Sequence, residues 1–276
     1  MNEACSPGPQ IDRDTAAALM EPLTELVIRA GAAILAVDRA AMRIEGKPDG
    51  SPVTEADLAA DRIINDGLMR LIPAVPAISE ERADRARPSQ EGSLLLIDPL
   101  DGTKEFVAGR AEFTVNLALV TNGTPLLGVI GAPALGLVWR GLVGRGAERL
   151  AMHEGTMRGE PVRTRPFPKA GDPWIAAVSR SHGDARTEAF IDSRPGAIRE
   201  MLGSAVKFGR LAEGAVDIYP RLAPTREWDV AAGHAIVTAA GGKVTDAQGA
   251  DLQFGKGRKD FTVPAFIAWG DPSAAR

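Results

Sequence analysis

The stretch SLLLIDPLDGTKEF, residues 93–106, runs from an unbroken apolar segment into two aspartates three positions apart, with a glycine and a threonine behind the second. A short apolar run closed by a turn signal reads as a buried strand. A strand is therefore expected over 93–98, ending at Asp98, with a turn at Pro99 and a helix opened by Gly102 and Thr103. Asp, Pro and Gly also make ordinary turns. Here, however, a buried strand delivers two acids beside the N–H groups of a helix start, which can hold a divalent cation on one side and receive phosphate oxygens on the other. Close carboxylates repel one another, which raises a pKa or recruits a cation, and oxygen-only donors favour Mg2+ or Mn2+.

Toward the C-terminus no charged residue occurs between Phe113 and Trp139, a span long enough to cross a bilayer as a helix. The turn sequence Asn122-Gly123-Thr124-Pro125 in its middle, and Pro133 beyond it, argue against that. TVNLALV, LLGVIGA and LGLVW read instead as two or three buried strands. Upstream, VPAIS (75–79) reads as a strand. An amphipathic helix precedes it, with Leu58, Ile64, Leu68 and Leu71 on one side, Thr54 at the N-cap and a stop at Pro73. Apolar residues at helical spacing predict a long helix over about 15–42.

The stretch 144–173 is rich in Gly, Pro, Arg and Lys without periodicity and is the candidate boundary between two subdomains. Beyond it WIAAVS reads as a strand, ARTEAFIDS as a helix, VDIYP as a strand, DVAAGHAIVTAA as a helix stopped by Gly241-Gly242, and FTVPAFIAW as a closing strand. The class is α/β. The expected division is a metal-binding α/β subdomain over 1–155 and a C-terminal α/β subdomain over 156–276 that contributes substrate contacts and Asp229.

With 276 residues, 45% hydrophobic and 25% charged, the balance is that of a packed globular chain rather than a disordered, collagen-like or disulfide-built one. The net charge of −4 comes without a polybasic block and aromatics are 5%, which speaks against a nucleic-acid partner. Cys5, the single cysteine, closes no intrachain disulfide, and the three histidines His153, His182 and His234 do not make a structural zinc cluster. The start MNEACSPGPQ lacks the basic and apolar regions of a secretion signal. A cytoplasmic protein with no integral membrane segment is expected, leaving peripheral inner-membrane association and the choice of monomer or homodimer open.

Further acids complete the picture. Glu80 and Glu81 follow the strand VPAIS, Asp229 follows Trp228 at a helix start, and Asp57 sits in the first turn of a helix. Each has a structural reading, as a solvated loop pair, an N-cap, or an acid favoured by the helix dipole. Their coincidence carries more. SPVTEAD (51–57), SEE (79–81), DPLDGTKEF (98–106) and EWDVAAGHAI (227–236) with Gly241-Gly242 resemble the ordered motifs of the inositol monophosphatase superfamily over most of the chain. The SPVT opening, Lys-Glu-Phe after DGT, SRSH (179–182) and GSAVKFGRLAEGAVDIYPR (203–221) are most similar to its 3′(2′),5′-bisphosphate nucleotidases of the CysQ type. Gly131 departs from the pattern, standing where relatives often carry an aromatic residue.

The resemblance implies a layered α/β/α/β/α sandwich with its site at the junction of two parts. It also implies a phosphomonoesterase using two or three Mg2+ ions to remove the 3′-phosphate of 3′-phosphoadenosine 5′-phosphate, giving AMP, with the 5′-phosphosulfate relative as a further substrate. By motif position Glu80 and Asp98, with the Leu100 carbonyl, would bind one ion, and Asp98, Asp101 and Asp229 a second. Asp57 would sit near the attacking water or a third ion, and Thr103 would pass the water's proton toward Asp57 or Glu80. Gly102 and Thr103 would offer N–H groups to the phosphate. Lys104, Ser179, His182, Gly203, Ser204 and Lys207 would face a nucleotide bisphosphate. The alternatives are an inositol monophosphatase or sugar phosphatase and, from a different class, a non-catalytic metal- and nucleotide-binding sensor.

Overall fold

The computed structural model describes residues 9–42, 44–46, 52–85, 92–153, 156–181, 183–194, 196–255 and 259–275. Helix α1 (Arg13–Leu35) starts at Asp12, whose carboxylate accepts from Thr15 N at 2.8 Å. It ends at Leu35 instead of running on to 42, because Asp38 accepts from Ala40 N and closes a turn that competes with the helix. Strands β1 (Ile44–Gly46) and β2 (Pro52–Thr54) pair antiparallel. Helix α2 (Glu55–Leu71) follows with Thr54 as its N-cap, as expected. Its buried side is built on Ala56, Ala60, Ile64 and Leu68; Leu58 and Leu71 are exposed. Leu58 lies six positions from Ile64, which a 3.6-residue turn sends to another face.

Seven strands then form one sheet in chain order: β3 (Ala77–Ser79), β4 (Ser93–Asp101), with α3 (Thr103–Val107) behind it, β5 (Thr114–Thr121), β6 (Thr124–Ala132), β7 (Leu137–Leu142), β8 (Gly146–His153) and β9 (Thr156–Val162). β5 and β6 are joined by Asn122-Gly123, both at positive φ (52° and 82°), the conformation of a two-residue hairpin turn. A division at 155/156 falls between β8 and β9, which pair from Ala147 with Val162 to His153 with Thr156 in the same sheet. The chain passes from the seven-stranded to the five-stranded sheet over 163–174, which overlaps the stretch read as a boundary and runs one residue past its end.

The second half supplies β10 (Ile175–Ser179), α4 (Ala185–Asp192), β11 (Ile198–Leu202), α5 (Val206–Ala212), β12 (Ile218–Arg221), β13 (Thr225–Arg226), α6 (Glu227–Ala239), β14 (Lys243–Asp246), β15 (Thr262–Val263) and β16 (Phe266–Trp269). Its five-stranded sheet runs β11-β10-β12-β16-β14. The single closing strand expected over FTVPAFIAW is split: β15 pairs with β13, while β16 lies between β12 and β14. Pro264, which has no N–H to give a ladder, stands at the break.

The layers are α1 and α2, the seven-stranded sheet, α5 and α6, the five-stranded sheet, and α4, an α/β/α/β/α sandwich. The long uncharged run is thereby explained. Val115, Leu117 and Leu119 of β5 face the core under α1 and α2, while Ala118 and Val120 face the core under α5 and α6. A strand covered on both faces needs apolar residues at every position rather than at every second one. Among the described residues no helix is long and apolar enough to cross a membrane. Gly131 belongs to this packing: a Cβ there would lie 2.6 Å from Val27 Cγ1 of α1.

His234, in α6, is buried with its ring edge-on to Phe254 and with Nδ1 lacking a hydrogen-bond partner. Burial pushes its pKa down from 6.5 to about 4, so the native imidazole stays neutral. Between those values the unfolded chain binds a proton that the native chain does not. Stability therefore falls as pH drops through the window, by about 2–3 kcal/mol at its acid end. Urea unfolding of wild type and His234→Phe at pH 7 and pH 4.5 is expected to show this loss in wild type and to lack it in the variant; an equal loss in both would assign the acid sensitivity to other groups.

Candidate active site

Asp98 and Asp101 are brought to one face of the sheet by an irregularity that the sequence reading missed. β4 does not end at Asp98 but continues to Asp101, with Asp98 opposite Asn116 and Asp101 opposite Thr114. Pro99 and Leu100 thus oppose Val115 alone, a bulge of one residue. In a regular strand, residues three apart point to opposite faces. The extra residue restores the parity, so Asp101 joins Asp98 on the face that Leu94 and Leu96 turn toward α5 and α6, while Leu100 packs in the core under α1 and α2.

Asp229 comes from the other half of the chain. It is the third residue of α6, not an N-cap, and its Oδ2 accepts from Arg226 N (3.1 Å) and from the Thr225 hydroxyl. One carboxylate oxygen from each of Asp98, Asp101 and Asp229 lies within 4.8 Å of the others. Desolvation in the cleft, then the charge of Asp101, with a further contribution from Glu80, pushes the Asp229 pKa up to about 7; Arg221 opposes that rise. A carboxyl group that would keep its proton to near neutrality beside two other acids is a site whose repulsion a cation relieves, and the donors are all oxygen. The residues present fit a hard divalent ion.

Around this cluster the donors are ordered. Leu100 N donates to Asp98 Oδ1 at 3.0 Å. The Thr103 hydroxyl lies 3.1 Å from both Asp57 Oδ1 and the Leu100 carbonyl. Asp57 Oδ2 in turn accepts from Thr54 N (2.8 Å) and Thr54 Oγ1 (2.6 Å). One side chain thus closes the capping box at the start of α2 and meets the Thr103 hydroxyl. Gly102 takes φ 86° ahead of α3, a conformation natural to glycine. Glu80, Lys104 and Ser179 line the same cleft.

Other expected nucleotide contacts are engaged elsewhere. Gly203 donates its N–H to Glu112 Oε2 at 3.0 Å, and a Cβ there would lie 2.5 Å from the Glu112 carbonyl oxygen. Arg180 grips the same Glu112 carboxylate at 2.8–3.1 Å, and Ser181 donates to Glu105. Lys207 lines the cleft, but its ammonium donates to the carbonyls of Leu202 (3.3 Å) and Ser204 (2.5 Å), and burial pushes its pKa down to about 8. Ser204 spends its hydroxyl on Asp101 Oδ2 at 2.6 Å. His182 lies outside the described residues.

Two residues were missed. Arg221, at the end of β12, lines the cleft facing Asp229, and its buried Nε has no hydrogen-bond partner. Its signal was faint: a cation closing the strand VDIYP, at the same end of the sheet as Ser179. Asp61 accepts from Ser79 Oγ and Arg82 Nε, both at 2.7 Å, clamping the chain on either side of Glu80. It lies one helical turn beyond Asp57, the spacing that puts both acids on one helix face.

The profile of the inositol monophosphatase family matches residues 16–270. The 3′(2′),5′-bisphosphate nucleotidase CysQ of Escherichia coli K12 is 38% identical over 251 residues, covering 90% of this chain and 98% of that protein. Among solved structures, CysQ from Bacteroides thetaiotaomicron, described as a bacterial member of the inositol monophosphatase family, superposes with a TM-score of 0.70 at 31% identity, covering 91% of this chain and 97% of that one. An inositol monophosphatase from Thermotoga maritima gives a TM-score of 0.72 at 27% identity, with 94% of each chain covered.

Proposed function

The chain belongs to the inositol monophosphatase family, and from that premise we propose that it is a Mg2+-dependent phosphomonoesterase that takes the 3′-phosphate from 3′-phosphoadenosine 5′-phosphate, leaving AMP. The observation that carries the reading is the convergence of Asp98, Asp101 and Asp229 within 4.8 Å, beside a threonine hydroxyl bonded to a buried aspartate. Glu80, Asp98 and the Leu100 carbonyl would hold one ion, and Asp98, Asp101 and Asp229 a second. When bound, the ions supply positive charge to the attacking and leaving oxygens of an in-line displacement.

The chain's own groups do the rest. Thr103 Oγ1, already donating toward Asp57, accepts a proton from the attacking water as its own proton moves to Asp57. The N–H groups of Gly102 and Thr103 orient the phosphate, and no covalent intermediate on the protein is required. As the bond from water oxygen to phosphorus forms, the bond from phosphorus to the 3′-oxygen breaks; that oxygen keeps the electron pair and takes up a proton, so the products are AMP and phosphate. Arg221 and Lys104 supply positive charge for the second phosphate. A single cysteine fits a reducing compartment, in keeping with a cytoplasmic enzyme.

Phosphate release from 3′-phosphoadenosine 5′-phosphate, inositol 1-phosphate and fructose 1,6-bisphosphate, each with Mg2+ and with chelator, tests this. Preference for the nucleotide, abolished by chelator, is expected. Preference for inositol phosphate would keep the metal chemistry and overturn the substrate. Absence of turnover on all of them would favour a sensor.

A further inference from the structure

We propose that Ser204 is a positioning residue that fixes the rotation of the Asp101 carboxylate through a directional chain of hydrogen bonds, rather than a group that binds substrate. Ser204 has φ +50°, the left-handed region that a residue with a Cβ enters only when its surroundings hold it there. The holder is the buried Lys207 ammonium, which donates to the Ser204 and Leu202 carbonyls. So held, Ser204 Oγ lies 2.6 Å from Asp101 Oδ2 and 2.5 Å from Thr114 Oγ1, and Thr114 Oγ1 lies 2.8 Å from the side-chain amide of Asn116.

Counting protons gives the direction. If the amide oxygen of Asn116 faces Thr114, two hydroxyl hydrogens must serve three oxygen–oxygen contacts, and one contact is left repulsive. If the NH2 group faces Thr114, each of these three short contacts has one proton: Asn116 donates to Thr114, Thr114 to Ser204, and Ser204 to Asp101 Oδ2. Amide oxygen and nitrogen are interchangeable in shape, so the hydrogen-bond network decides between them. The change replaces a long 3.5 Å hydrogen bond from Asn116 to Asp101 by an oxygen–oxygen approach at that distance, a smaller penalty than an unprotonated contact at 2.5–2.8 Å. Thr114 and Asn116 are buried, so water does not compete for these bonds. Asp101 thus receives its donor on one oxygen, from one direction. The inference rests on Asp101 being a metal ligand, as proposed above.

The test is calorimetric titration of Mg2+ into metal-free protein, with KM for 3′-phosphoadenosine 5′-phosphate measured at saturating Mg2+. Ser204→Gly suits the backbone angle and deletes the hydroxyl; Thr114→Val breaks the chain one step earlier and reads the same link should the first variant fold poorly. Thr114→Ser keeps the chain and serves as the conservative control. Mg2+ affinity is expected to fall about tenfold or more in Ser204→Gly and Thr114→Val, to stay near wild type in Thr114→Ser, and to change far more than KM for the nucleotide. Unchanged Mg2+ affinity with a raised KM would overturn the inference and return Ser204 to substrate binding. Asp101→Asn is the separate control: Mg2+ affinity equal to wild type there would remove Asp101 from the metal site itself.

Discussion

Asp98→Asn is expected to lower phosphate release from 3′-phosphoadenosine 5′-phosphate by at least about a thousandfold while the protein stays folded. Asn keeps the shape of the side chain and can still accept from Leu100 N, so the bulge keeps its local hydrogen bond. What it removes is the charge at the one side chain common to both proposed ion positions. The positive charge those ions give the attacking and leaving oxygens is worth several kcal/mol, and about 4 kcal/mol corresponds to a thousandfold in rate. Removing one of three mutually repelling carboxylates also relieves the folded protein, so the thermal midpoint is expected to hold or rise. Turnover assayed across a Mg2+ series, beside thermal melts, reads both. Activity within tenfold of wild type at ordinary Mg2+ would exclude Asp98 from the site.

Arg221→Ala is expected to separate the substrates. Among the cations that line the cleft, Lys207 is committed to backbone carbonyls, and Arg226 donates to the Asp260 carbonyl and to Thr262. Arg221 shares a hydrogen bond with Tyr219 and faces Asp229 and Asp101, but its buried Nε has no partner, and Lys104 is exposed. A nucleotide with two phosphates needs a cation for the one that is not hydrolysed, whereas inositol 1-phosphate does not. A hydrogen bond to a charged group is worth about 1.5–3 kcal/mol. The loss in kcat/KM is therefore expected to reach about 100-fold for the bisphosphate and to stay below about threefold for inositol 1-phosphate. Arg221 also holds the Asp229 pKa down, so both substrates are compared at one alkaline pH and at saturating Mg2+, where any change in Asp229 ionisation falls on both alike. Equal losses on the two substrates would mean that Arg221 serves the metal site and not the second phosphate.

Much of this was legible in the order of the residues because burial on both faces of a sheet writes itself as an apolar run, as in β4, β5 and β6, and the turn residues at 122–125 tell that run from a membrane helix. The gathering of Asp98, Asp101 and Asp229 at one place was legible through motif and chemistry together. Features created by tertiary contact were not. The bulge at Pro99 and Leu100 looks locally like a strand end. Gly203 and Arg180 look like free donors until Glu112, distant in sequence, occupies both. Lys207 reads as a phosphate-seeking cation, and only the fold brings two carbonyls to its ammonium. The end of α1 at Leu35 depended on Asp38 bonding to Ala40, which side-chain periodicity does not register.

The helix that brings Asp229 to the cleft sits between both sheets. At Gly128 the backbones of α6 and β6 meet so closely that a Cβ would lie 2.2 Å from the Ala232 carbonyl oxygen, and the same helix packs against β14 of the other sheet. The two halves of the molecule share one core along the helix that carries Asp229, so parting the two sheets would break the contacts of α6 with β6 or with β14. The distance from Asp229 to the acids of β4 is thus a property of the core, as stiff as the packing that sets it.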